Sequence, residues 1–161
     1  MAADPKRKTA LAALLVALRS ATGASYFHDL SSPTTVAAAT HERTMALRES
    51  GFDYIVRVVE GQETYRRHDL ANQFEATLEV ELWLMRKWTG TGDVADRLNE
   101  LIADCRRVVE ADPSLAGAIV EAVFTGCDPP EYDADHTTGT TTLRLVLVYD
   151  WVRGTSGATG L

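Results

Sequence analysis

Cysteine is scarce in this sequence. There are two, Cys105 and Cys127, with no C-x-x-C. A structural zinc site needs four close ligands, so a small metal-stapled fold is excluded. None is needed: 161 residues suit one domain with a core of its own. Cys105 falls at an apolar helix position and reads as a buried, inert thiol. A Cys105–Cys127 disulfide is the alternative, and a reduced, cytosolic environment is the expectation.

Catalytic signatures are missing too. The chain has no G-x-S-x-G, H-E-x-x-H, Walker-type loop or G-x-G-x-x-G. His28, His41, His68 and His136 are scattered, with no pair at i, i+4 spacing, and read as surface or loop residues. Basic charge is in deficit, with 16 Lys and Arg against 23 Asp and Glu, for a net charge of −7. That argues against tight, non-specific binding to a nucleic-acid backbone, which needs clustered cations. It leaves room for a protein that DNA passes without adhering.

No long hydrophobic run is present. The longest, within KRKTALAALLVALRSATGAS, covers roughly ten residues, too short to span a bilayer. Its basic start and small-residue end are close to a secretory signal. Against that, Arg19 follows at once, and Leu11, Leu14, Leu15 and Leu18 keep helical spacing. The reading is a first helix, with Asp4 as N-cap, Pro5 in the first turn, an end near Ser20 and Gly23 as terminator. Lys6, Arg7 and Lys8 sit where the helix dipole disfavours cations. Solubility is one explanation, an acidic partner surface the other.

What is present is β-structure. In FEATLEVELWLMR, Phe74, Ala76, Leu78, Val80, Leu82 and Leu84 alternate with Glu75, Thr77, Glu79, Glu81 and Trp83. This predicts a strand over 73–87 with one buried face and one acidic face. A slip of one residue would bury the carboxylates, so its register is strongly specified. FDYIVRVVE, 52–60, predicts the antiparallel partner strand, and the polar GQETYRRHDLAN, 61–72, the connection.

TGTGD, 89–93, is a turn with Asp93 as N-cap. Its phosphate-loop echo lacks the lysine. Val94, Leu98, Leu101, Ile102, Cys105, Val108 and Val109 predict a second helix, closed before Asp112-Pro113. A strand around Ala118–Phe124 follows, then a loop over 127–139. The loop's Asp128, Glu131, Asp133, Asp135 and His136 could hold a hard cation, and Asp133-x-Asp135 is similar to the start of a calcium loop. They lack its later Gly and Glu, so a solvated loop is expected. The last strand, 140–152, puts Leu143, Leu145, Leu147, Tyr149 and Trp151 on one face and Val146 and Val148 on the other. Residues 24–51 are poorly patterned. A short strand at 26–30 and part of one within 34–49 are expected.

The fold class is therefore α+β: an antiparallel sheet with a long β-hairpin and two main helices packed on one face. Residues 1–161 form a single domain, with 1–4 and 153–161 as terminal extensions. Glu79 and Glu81, nearest neighbours on one face, are the pair an enzyme could tune for acid–base work. No nucleophile, base or metal partner accompanies them. No catalytic, cofactor-binding or metal residue is assigned, and no cofactor is expected. Glu75, Glu79 and Glu81 are expected to face solvent or a lumen. Trp83, Trp88 and Trp151 are interface candidates or core.

The order of helix, strands, long hairpin, then DVADRLNELIADCRRVVEADPSLAGAIVEAVF and LRLVLVYDW resembles the tail terminator (tail completion, minor tail) proteins of long-tailed bacteriophages and gene transfer agents. The likeness covers roughly residues 5–152. Its most specific part is the junction Asp112, Pro113, Ser114, Leu115, Ala116 and Gly117. It implies a structural virion protein of the tail and neck, assembled in the host cytoplasm as a homo-oligomer, a hexameric ring. Such a ring caps the tail tube protein, meets a head–tail connector or stopper protein, and lets DNA through without specific binding or any membrane. A small non-catalytic α+β ligand-binding or dimerisation domain is the alternative.

Overall fold

The computed structural model describes residues 5–39, 51–67 and 73–152, the side chains of Pro5, Trp151 and Val152 excepted. Asp4, His41, His68, the expected strand beyond Ala39, the centre of the 61–72 connection and the 153–161 extension lie outside these residues.

Helix α1, Pro5–Arg19, buries Ala10, Leu14 and Leu18, a stripe at i, i+4 spacing, and ends before Gly23 at φ 89°. Helix α2, Val94–Ala111, begins where the Asp93 carboxylate accepts the Ala95 N–H, 3.0 Å away. It buries Val94, Leu98, Leu101, Cys105, Val108 and Val109. Asp104 is buried on the same helix, an unexpected charge among apolar neighbours.

Strands β1 (Val36–Ala38), β2 (Tyr54–Arg67), β3 (Gln73–Lys87), β4 (Glu121–Cys127), β5 (Glu131–Tyr132) and β6 (Thr138–Val152) form one sheet. Its order is β1-β2-β3-β6-β4, with β5 pairing β6. The class is α+β, and both helices pack on the face carrying Val56, Val58, Leu78, Leu82, Leu143 and Leu147. The sheet is mixed rather than wholly antiparallel, because β1 runs parallel to β2, Val36 beside Val56. A parallel pair needs a crossover of a dozen residues or more, and the stretch from Ala39 to Asp53 is long enough to supply it.

Strand β2 outlasts its expected end at Glu60 and runs to Arg67. Polarity made GQETYRR read as a loop, but β3 offers it a continuous ladder, Glu63 beside Leu78 through Arg67 beside Phe74. A bulge between Glu60 and Glu63 changes the phase. Before it, even-numbered residues such as Val56 and Val58 face the helices; after it, odd-numbered Glu63 and Tyr65 lie beside Leu78 and Ala76 on that face. Gly61 sits at the bulge because a Cβ there would lie 3.0 Å from the Glu79 carbonyl oxygen.

The stretch 26–30 is not a strand. It is a loop whose backbone is held by α2. Strand β4 starts at Glu121, later than expected, because the residues before it are consumed by the junction turn. In that turn Asp112 accepts from the Ser114 hydroxyl and the Ala116 N–H, each at 2.8 Å. Leu115, Ala116 and Gly117 run left-handed at φ 50°, 59° and 80°. That conformation is costly for the first two, and the buried Leu115 side chain anchors it. The 127–139 loop contains β5, a short pairing onto the start of β6.

Candidate functional site

The face of the sheet opposite the helices is graded along its length. At one end Ile55, Val59, Trp83 and Met85 form a second, small buried cluster. The middle and far end carry the acidic row. Pairing across β2, β3 and β6 places Arg66, Glu75 and Asp150 side by side; Thr77 meets Val148, Glu79 meets Val146, and Glu81 meets Arg144. Strand β4 extends two of these rows with Glu121 and Val123.

The three carboxylates are not equivalent. Glu79 is exposed, and Glu75 and Glu81 are half-buried. Glu81 is the most engaged: one oxygen accepts from the Trp83 indole at 2.8 Å and the other takes Arg144 Nη1. Arg144 also forks onto Asp128, at 3.2 and 2.8 Å. The Asp128 and Glu81 hydrogen bonds hold the guanidinium above its ordinary range. A carboxylate already bridged to arginine is poorly placed to share a proton with its neighbour. The acid–base pairing of Glu79 with Glu81 therefore finds little support in the geometry.

A groove of about 320 Å³ opens beside this pair, between Gly61 and Thr125. Both flanks are bulges: β2 shifts register at Glu60/Glu63, and β4 at Phe124/Gly126. The two lie level with Val80 and Leu145. The groove is a crease in the sheet, open to solvent, with Glu79, Glu81 and Arg144 among its lining residues.

The tryptophans separate. Trp83 is buried in the small cluster, where it cannot reach a partner surface without local rearrangement. Trp88 is half-buried and lies between two guanidiniums, Arg97 at 4.4 Å and Arg86 at 5.2 Å from its ring. Trp151 contributes backbone to β6, and its side chain lies outside the described residues.

Elsewhere the titratable groups are structural. Cys105 is buried and free, and burial pushes its thiol far up; Cys127 is exposed and free. Asp133 accepts from the Thr137 N–H (2.8 Å) and hydroxyl (2.9 Å) and from the Thr138 N–H (3.0 Å). His136 turns the chain at φ 52° and is exposed. No group of three or more His, Cys, Asp or Glu among the described residues could hold a metal ion. No helix among them is long and apolar enough to cross a membrane. Within the basic first turn of α1, Arg7 finds acidic partners in the sheet: its Nε lies 2.7 Å from Glu60, and Nη1 3.9 Å from Glu63.

Sequence reasoning missed the polar cluster around Asp104. This residue accepts the backbone N–H groups of Phe27 (3.0 Å) and His28 (2.8 Å) and contacts His28 Nδ1 at 2.9 Å. Arg86 donates to the other ring nitrogen at 3.0 Å. Asp104 sits beside Cys105 in the buried stripe, and that position was the available clue: an acid on an apolar helix face requires donors.

No protein-family model matches the chain, and no curated protein matches it in sequence.

Proposed function

We propose that this protein is a virion structural subunit of the tail-terminator kind: a ring-forming protein that caps a tail tube, joins it to a head connector and lets DNA through. One observation carries the reading. Strands β2, β3 and β6 run side by side over most of their length, and among the described residues no strand pairs with the outer edge of β2 beyond Val58. An unpaired edge of that length is a template for another chain. In a closed ring each copy supplies such an edge and covers its neighbour's.

The distribution of charge supports the same role. The helices occupy one face of the sheet, leaving Glu75, Glu79 and Glu81 on the other. Turned toward a channel, that face would repel a polyanion and keep DNA moving. The ring is a homo-oligomer, a hexamer by resemblance, that meets a tube protein and a connector or stopper protein. No chemical step is required, and no residue is assigned one.

The test is composition of particles. Virions or gene-transfer particles purified from the producing strain should contain the chain at about one ring per tail, and immunogold labelling should place it at the neck. Its absence from purified particles, with abundant protein left in the lysate, overturns the reading. A monomer in solution does not decide, since assembly on a tube is compatible with either state. A dimer of fixed mass that ignores tail tubes would favour the binding-domain alternative.

A further inference from the structure

Asp104, His28 and Arg86 form a chain of hydrogen bonds joining α2, the loop after α1 and the end of β3. All three are buried, Asp104 completely. The donors fix the protonation pattern. Arg86 Nε can only donate, so His28 Nε2 must be its bare acceptor. The ring proton then lies on Nδ1 and is given to Asp104. His28 is held as a neutral imidazole in one tautomer.

We propose that this relay is an acid-released latch on the end of β3: when His28 takes up a second proton it stays on Asp104 and expels Arg86, unstacking Trp88.

The direction of release follows from charge. A doubly protonated ring has no lone pair for Arg86 Nε and becomes a cation facing a cation. It remains attracted to Asp104, whose acceptors also hold the Phe27 and His28 backbone. Arg86 is the weaker attachment. Its remaining contacts are the Asp53 and Lys87 carbonyls and the rings of Tyr54 and Trp88, and burial already disfavours its charge.

The other groups around His28 do not reverse this. Tyr54 from β2 meets it edge-on at 4.8 Å. Glu100 on α2 and Asp53 before β2 act at longer range, Glu100 favouring the charged ring and Asp53 holding Arg86. Arg97 and Arg107 on α2 stack on Trp88 and on Tyr26 and Phe27. Asp29 beside His28 is occupied by Ser31. Burial holds the imidazole below its ordinary value of 6.5, with the Asp104 bond opposing and the Arg86 charge adding to the depression. The latch is therefore closed at neutral pH and opens in mild acid.

Trp88 leads directly into the turn before α2, so the device acts on that helix's start. This inference stands apart from the ring reading and survives its failure.

The experiment is an NMR titration of the full chain carrying 5-fluorotryptophan, with the Trp88 signal assigned by Trp88→Phe. At neutral pH the His28 ring should show bare Nε2, and Arg86 Nε–H should give a sharp, slowly exchanging signal. On acidification that signal should vanish and the Trp88 fluorine should shift with one midpoint below 6.5, shared with His28, while far-ultraviolet circular dichroism stays native. His28→Gln should remove the midpoint; if that variant does not fold, the titration of the unmodified chain decides. Titration of His28 with Arg86 and Trp88 unmoved overturns the proposal, as does His28 titrating only with global unfolding.

Discussion

The indole of Trp83 and the guanidinium of Arg144 hold the two oxygens of Glu81 from opposite sides, one within β3 and one from β6. The side chain at the heart of the acidic row is thereby a cross-strand tie. Its energy should be small, because Arg144 and Glu81 remain accessible to water. A double-mutant cycle with Glu81→Gln and Arg144→Met, read by urea unfolding, is expected to give a coupling below about 1 kcal/mol, shrinking with added salt.

Asp104→Asn should behave very differently. An amide cannot accept from two backbone N–H groups and an imidazole N–H in the same geometry, and it brings a donor of its own into an apolar site. The expected loss is about 3 kcal/mol. A lower urea midpoint with unchanged slope would show it. A loss under about 0.5 kcal/mol would mean that these hydrogen bonds do not form in solution.

The crease in the sheet depends on Gly61. A methyl group there meets the Glu79 carbonyl at 3.0 Å and its Cβ at 3.2 Å, both attached to a central strand with no freedom to retreat. Gly61→Ala is expected to cost about 1–3 kcal/mol, measurable as a fall in melting temperature.

The left-handed junction gives a stabilising change. Ala116, at φ 59°, carries a Cβ that its conformation penalises. Ala116→Gly keeps the N–H donated to Asp112 and relieves that strain. A gain of up to about 1 kcal/mol is expected after the added chain entropy is subtracted. Gly117→Ala, at φ 80°, should be destabilising in the same assay.

Acid should weaken two loops in a known direction. The Thr138 backbone hydrogen bond, against a small burial effect and helped by Thr137, holds Asp133 below its ordinary value of 3.8. Asp112 is lowered in the same sense, chiefly by Ser114. A carboxylate with a depressed folded value contributes stability at higher pH and loses it as pH falls below about 4. Asp133→Asn should therefore flatten the acid limb of the stability curve and leave the His28-linked change in mild acid intact. Stability profiles of the two proteins over that range check it.

Where periodicity was strong, the sequence was readable. Strand β3 lies at 73–87 because two opposed rows of side chains permit a single register. Helix α2 has the cap and closure that Asp93 and Asp112-Pro113 specify. What escaped prediction depended on neighbours. GQETYRR has no apolar alternation of its own and becomes strand only because β3 presents it with unsatisfied backbone groups. His28 read as a loop residue, and its side chain is buried because it meets Asp104, seventy-six positions away. The parallel pairing of β1 with β2, Val36 beside Val56, is a contact twenty residues apart that local pattern does not encode. Of the site, the location of the acidic face was legible. Its arginine bridges were not, since they depend on cross-strand register.

The pinning of the first helical turn to the bulge has a mechanical consequence. Arg7 reaches Glu60 and Glu63 together, and the same Glu63 receives the Tyr149 hydroxyl from β6. A force that bends the far half of these strands is passed through this clamp into α1 and resisted there. The strands beyond Gly61 should then stiffen together with the helical layer instead of hinging at the bulge.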